Sequence, residues 1–123
     1  AQVLARARRT KSGAVYITVR GDAGSWRELV PGISFKLLTY DTPAGIKSFL
    51  LRAAPGARLP SHGHGEFEEC LVLEGEFTLG DLRLRAGDFH AATRGTPQGE
   101  AYSERGATIY LRAGVDDYPG VAP

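Results

Sequence analysis

One cysteine, Cys70, stands in a chain of 123 residues. No disulfide can close within the chain, which fits a reducing compartment. No apolar run approaches 18 residues, so no segment is read as a membrane span. The opening stretch from Ala1 to Arg9 lacks the apolar core of a secretory signal. These absences together point to the cytoplasm. Net charge is also nearly absent, at +1, which gives the whole chain no bias toward nucleic acid. From residue 15 onward no ten-residue helical period interrupts the pattern, which argues against alternating strand–helix architecture and favours a sandwich or barrel.

What is present is ordinary globular material, 42% apolar and 24% charged, in a chain long enough to bury roughly two thirds of its extended surface. Sixteen glycines and seven prolines predict many turns and hence many short strands. The charge is uneven. Residues 1–20 carry five basic side chains (Arg6, Arg8, Arg9, Lys11, Arg20) and no acid, whereas the remainder carries ten basic and fourteen acidic ones. This basic arm is either a solvated tail or a contact for an acidic partner. Residues 2–9 predict a short basic helix, marginal on its own and ended by Ser12 and Gly13.

Strand signals follow, rich in β-branched and aromatic residues and bounded by Gly, Pro and Asp. They run over Val15–Val19, Ile33–Tyr40, Ile46–Arg52, Glu66–Leu73, Phe77–Leu79, Leu82–Leu84, Phe89–Ala91 and Thr108–Arg112. Gly80 and Asp81 make a hairpin-type turn. The expectation is an all-β chain of eight or nine strands. Residues 1–20 form a basic extension, 21–119 one domain and 120–123 a tail, and Asp116–Pro119 packs loosely or frays.

The stretch with chemistry runs from His62 to Glu68. Side chains alternate along a strand, so His62, His64 and Glu68 share one face, with Glu66 and Cys70 on the same parity. Two imidazoles and a carboxylate on one face can converge on a cation. The donor set suits Fe(II), Mn, Ni, Co or Zn rather than Mg or Ca, and leaves open positions as in non-haem Fe(II) sites. Gly63 and Gly65 let the segment bend. The competing reading is a polar loop of surface histidines.

The spacing sharpens this. Gly56, five residues, His62, one residue, His64, three residues, Glu68, six residues and Gly75 resemble the first signature motif of the cupin superfamily at every fixed position. The resemblance implies a small jelly-roll β-barrel of two antiparallel sheets, with His62, His64 and Glu68 as ligands of one divalent transition metal per chain (Fe, Zn, Ni or Mn). The second motif is broken: Gly87, Asp88 and Phe89 open it and Gly95 is its turn glycine, but Thr93 stands in place of Pro. Gln98 stands in place of the third histidine. Gln98 offers a carbonyl oxygen or holds a water, so the implied site is weaker than one with three imidazoles. Glu66 is either a rim acid or an acceptor for a ligand histidine N–H. Cys70 is either a small buried residue or a ligand. His90 is either a wall residue or a substitute for the missing imidazole.

Residues 15–113, through Trp26–Ile33, Pro55–Gly75, Gly87–Ala92 and Tyr102–Ala107, are similar to one cupin subgroup. It includes the cupin half of ChrR-type zinc anti-sigma factors and small cupins similar to acetylacetone-cleaving dioxygenase. The resemblance implies a homodimer and a small-molecule ligand. The leading expectation is an oxygenase-type enzyme for a small oxygen-rich molecule such as a diketone. The alternatives are a ligand- or oxidant-sensing regulatory cupin and a structural dimer with a vestigial site. No sigma factor binding is expected of this chain alone, because the residues of the family's separate Cys/His zinc domain are missing from it.

Overall fold

Alternating burial decides the architecture. Ile33, Phe35 and Leu37, then Phe49, Leu51 and Ala53, then Cys70 and Val72, then Ala107, Ile109, Leu111 and Ala113 are all buried at every second position. Such period-2 runs close a core only when several strands turn the same face inward. The computed structural model describes residues 6–9, 15–60, 67–93 and 99–123. Among them there are eleven strands and no helix, so none is long and apolar enough to cross a membrane.

The strands are β1 (Arg6–Arg9), β2 (Val15–Thr18), β3 (Arg27–Val30), β4 (Ile33–Asp41), β5 (Ile46–Ala53), β6 (Arg58–Leu59), β7 (Glu68–Leu79), β8 (Leu82–Arg85), β9 (Phe89–Ala92), β10 (Ala101–Tyr102) and β11 (Ala107–Gly114). Every pairing is antiparallel. One sheet runs β3-β4-β5-β11-β7, with β9 on the outer side of β7. The other is built on the far half of β7, which pairs with β8 and β10, and β10 carries β6. The twelve-residue β7 belongs to both sheets and joins them into a jelly-roll barrel.

β7 bends where it changes sheet. The register against β11 shifts between Thr108 and Ile109, and burial switches from alternation to the adjacent pair Glu76 and Phe77. Gly75 has φ 76°, and a Cβ there would lie 2.0 Å from the Gly106 carbonyl oxygen. Only glycine fits. The opposing turn is tied down by Ser103, whose hydroxyl donates to the Glu76 carbonyl at 2.7 Å and accepts from the Gly106 N–H at 3.0 Å. The Glu76 carboxylate accepts the Arg105 N–H at 2.8 Å.

Two expectations are overturned. Residues 6–9 are a strand, not part of a helix over 2–9: they pair with Val15–Thr18 in a separate two-stranded ribbon. A short helix has an unfavourable nucleation cost, while the β-branched partner offers a ladder at once. The segment Asp116–Pro119 does not fray. Asp117 and Tyr118 are buried, and Val121 beyond them is fully so. The physical reason is Lys47, completely buried on β5, whose ammonium donates to the carbonyls of Val115, Tyr118 and Val121 at 3.2, 3.0 and 2.9 Å. Three donors meet three acceptors, which makes burial of the charge tolerable.

Candidate functional site

The inward face of the first half of β7 presents Glu68 and then Cys70, both buried. β9 lies alongside, with Cys70 opposite His90 and Glu68 opposite Ala92. Residues directly opposite in an antiparallel pair share a face, so His90 joins Glu68 and Cys70 on one wall. Tyr118 comes from the C-terminal segment, and its hydroxyl donates to Glu68 Oε1. Its ring packs edge-on against Phe49, centroids 5.6 Å apart at 71°.

These four groups form the polar corner of a small cavity of about 20 Å³, room for about one water. Its remaining walls are Leu51, Leu59, Phe77, Leu79, Ile109 and Leu111. Apolar walls with convergent polar groups at one end share the lining of small-molecule sites, on a smaller scale.

Burial sets the protonation states. Desolvation, aided by the Glu68 charge, pushes the Cys70 thiol up to about 12. Without a bound cation, Cys70 is therefore a neutral thiol at physiological pH and a poor nucleophile. Desolvation also holds the Tyr118 phenol well above its ordinary value, reinforced by the charge of Glu68 and the hydrogen bond to it. Tyr118 thus stays a donor. Desolvation lowers Lys47, with Asp117 and Asp116 opposing the shift.

Of the residues singled out from the sequence, Glu68, Cys70 and His90 are brought to one wall. His62, His64, Glu66 and Gln98 lie outside the described residues. Among the described residues no three His, Cys, Asp or Glu side chains gather in a cation-binding cluster. The described donors fit part of such a cluster: a buried carboxylate, with an imidazole on the same wall, suits a transition-metal cation. Tyr118 and Lys47 were not singled out from the sequence. Lys47 carried a signal, a lysine at the inward parity of Phe49, Leu51 and Ala53. Tyr118 carried none, because 50 residues separate it from Glu68.

A jelly-roll barrel with this cavity and this motif strand defines a cupin. The model of the ChrR cupin-like domain matches residues 14–115, and the chain belongs to that family. No curated protein matches the chain. Among solved structures, a chain of the Rhodobacter sphaeroides complex of SigE with the anti-sigma ChrR is 27% identical, with a TM-score of 0.66, over 76% of this chain and 50% of that one. An acetylacetone dioxygenase from Acinetobacter johnsonii is 16% identical, TM-score 0.64, over 68% of this chain and 60% of that one. An RmlC-like cupin from Shewanella frigidimarina NCIMB 400 is 18% identical, TM-score 0.71, over 83% and 93%. The last two are likenesses of fold. The chain spans 60% of the dioxygenase and half of the chain from the ChrR complex.

Proposed function

We propose that the chain is a metal-dependent, oxygenase-type cupin acting on a small oxygen-rich molecule such as a diketone. One divalent transition metal per chain (Fe, Zn, Ni or Mn) would be held by His62, His64 and Glu68, with Gln98 beside them. The observation that carries this reading is Glu68: a buried carboxylate on the strand marked by the motif, facing an apolar cavity. A metal bound there supplies Lewis-acid or redox activation of a chelated substrate. The chain's own residues do the rest. The Glu68 carboxylate contributes negative charge at a fixed place, and Leu51, Leu59, Phe77, Leu79, Ile109 and Leu111 give the cavity apolar walls. Tyr118 keeps its proton and, without a bound cation, Cys70 remains an inert thiol.

A second reading, a ligand-sensing regulatory cupin without turnover, is favoured by the 27% identity to the chain from the SigE–ChrR complex. Either form is proposed to be a homodimer. Leu73 on β7 and Phe89 on β9 are exposed, and a dimer contact on this side would cover them. A structural dimer with a vestigial site is the remaining alternative.

Oxygen consumption with Fe(II) and a 1,3-diketone tests the reading. Iron-stimulated uptake, lost in His62→Ala, His64→Ala and Glu68→Ala variants that keep the β-type circular dichroism, is the expected result. Saturable diketone binding without oxygen uptake would replace the enzyme with the sensor. Neither uptake nor binding would leave the structural dimer.

A further inference from the structure

We propose that the C-terminal segment Val115–Val121 is a clamp that fixes the Glu68 carboxylate through the Tyr118 hydroxyl, with Lys47 as its lock. The proposal rests on the reading of Glu68 as a metal ligand and adds the device that orients it. Three observations converge on it. First, the segment is fastened at three points by one buried side chain, Lys47, which donates to the carbonyls of Val115, Tyr118 and Val121. Second, Tyr118 lies in the left-handed region at φ 50°, the one described residue other than glycine with a positive φ. A tyrosine pays for that conformation in steric strain, and such strain persists only where the surroundings over-determine it. Third, the conformation delivers the side chain to a specific place: the ring against Phe49 and the hydroxyl onto Glu68 Oε1.

The lock and the delivered group stand on different strands, with Lys47 and Glu68 in register on either side of Ala113 of β11. Lys47 is on β5 and touches only the backbone carbonyls of the segment by its hydrogen bonds, whereas Glu68 is on β7. Tyr118 connects them: its carbonyl accepts from Lys47 and its hydroxyl donates to Glu68. A carboxylate that accepts a hydrogen bond on one oxygen loses rotational freedom about its terminal bond. It therefore meets a cation already oriented, and removing such an outer partner costs typically 10–100-fold in metal affinity. Tyr118 is in these terms a positioning residue.

The test uses Co(II) alone as the probe, titrated against a chelator and followed by its visible spectrum, on the full chain. Tyr118→Phe keeps the ring on Phe49 and removes only the hydroxyl. It is expected to weaken Co(II) binding about tenfold or more and to alter the spectrum. Lys47→Met is expected to produce the same loss while leaving the Tyr118 and Glu68 side chains themselves unchanged, and the double variant to lose no more than the larger single loss. If Lys47→Met does not fold, Tyr118→Phe carries the test. Wild-type affinity and spectrum in Tyr118→Phe, with binding abolished in Glu68→Ala, would overturn the clamp.

A metal-free measurement separates the clamp from the metal reading. In the apo-protein the Tyr118 hydroxyl proton is expected as a slowly exchanging NMR resonance, lost in Glu68→Ala and in a folded Lys47→Met. That pattern in a wild-type protein that binds no Co(II) upholds the clamp and overturns the metal site. No such resonance in the wild type, or its persistence in Lys47→Met, overturns the clamp.

Discussion

Lys36 and Lys47 sit on the neighbouring strands β4 and β5, both buried, and both give their ammonium protons to backbone carbonyls near an end of the chain. Lys36 reaches Arg20 and Gly21 at 3.0 and 3.3 Å. Lys47 reaches Val115, Tyr118 and Val121. The outcomes differ. Ahead of the Lys36 anchor the chain runs out into the β1–β2 ribbon, where Val15, Tyr16 and Ile17 are each more than half exposed. Beyond β11, the Lys47 anchor draws Tyr118 and Val121 into the core cluster. Composition does not separate the two ends, since the exposed one is the more apolar of the two strands' worth of chain. The difference lies in which face the anchoring lysine stands on: Lys36 lies on the face of β4 opposite the core residues Phe35 and Leu37, whereas Lys47 shares the core face of Phe49 and Leu51, so whatever satisfies it must come inside as well.

The comparison breaks most visibly under truncation. Removing residues 115–123 strips Lys47 of its acceptors and uncovers Phe49. The expected cost is about 5 kcal/mol or more, comparable with the whole stability of a domain. The shortened chain should be recovered unfolded or insoluble. Removing residues 1–18 leaves Arg20 and Gly21 in place for Lys36 and should shift the urea midpoint by less than about 0.5 kcal/mol equivalent. Equal losses from the two truncations would erase the distinction.

Alkaline pH probes the buried end next. The Cys70 thiol rises from 9.0 to about 12 in the folded chain. Between those values the unfolded chain has lost this proton and the folded chain retains it, so stability falls as pH rises. Tyr118, shifted upward from 10.0, adds to the fall above that pH. Lys47, shifted downward from 10.5, contributes with the opposite sign as pH climbs toward its unfolded value. Cys70 and Lys47 offset one another up to about pH 10, and from there Tyr118 tips the balance, so the melting temperature should drop from pH 10 to 11. The slope should be shallower by about one proton in Cys70→Ala, and unchanged when residues 1–18 are removed.

The smallest effect is the most local. Val121→Ala empties a fully buried site and should cost about 1–3 kcal/mol, while Ile17→Ala on the ribbon should cost under about 0.5 kcal/mol. Urea denaturation at constant slope reads both.

Much of the barrel was legible because it obeys one rule. Ile33, Phe35 and Leu37, or Ile109 and Leu111, announce themselves by alternation, and Gly80–Asp81 marks the β7–β8 turn. What stayed hidden has no periodic signal. β6 and β10 are two residues each, set by partners rather than by their own composition. β7 looked like two strands because Gly75 reads as a stop, whereas here it lets the strand bend and continue. In the site, Glu68 and Cys70 share a parity that the sequence states outright. The placement of His90 opposite Cys70 depends on a register between strands, and the bond from Tyr118 depends on a fold-back anchored elsewhere.

Gly75 also makes β7 a ruler. With no room for a side chain against Gly106, this residue is a fixed mark on the barrel, and the rest of the strand is measured from it. Because side chains change face at every step, adding or deleting one residue between Glu68 and Gly75 would turn the carboxylate from the cavity to the outer surface. An insertion would thus silence the site without altering any residue in it. The six-residue gap that makes the motif recognisable is, in mechanical terms, the length that points an acid inward.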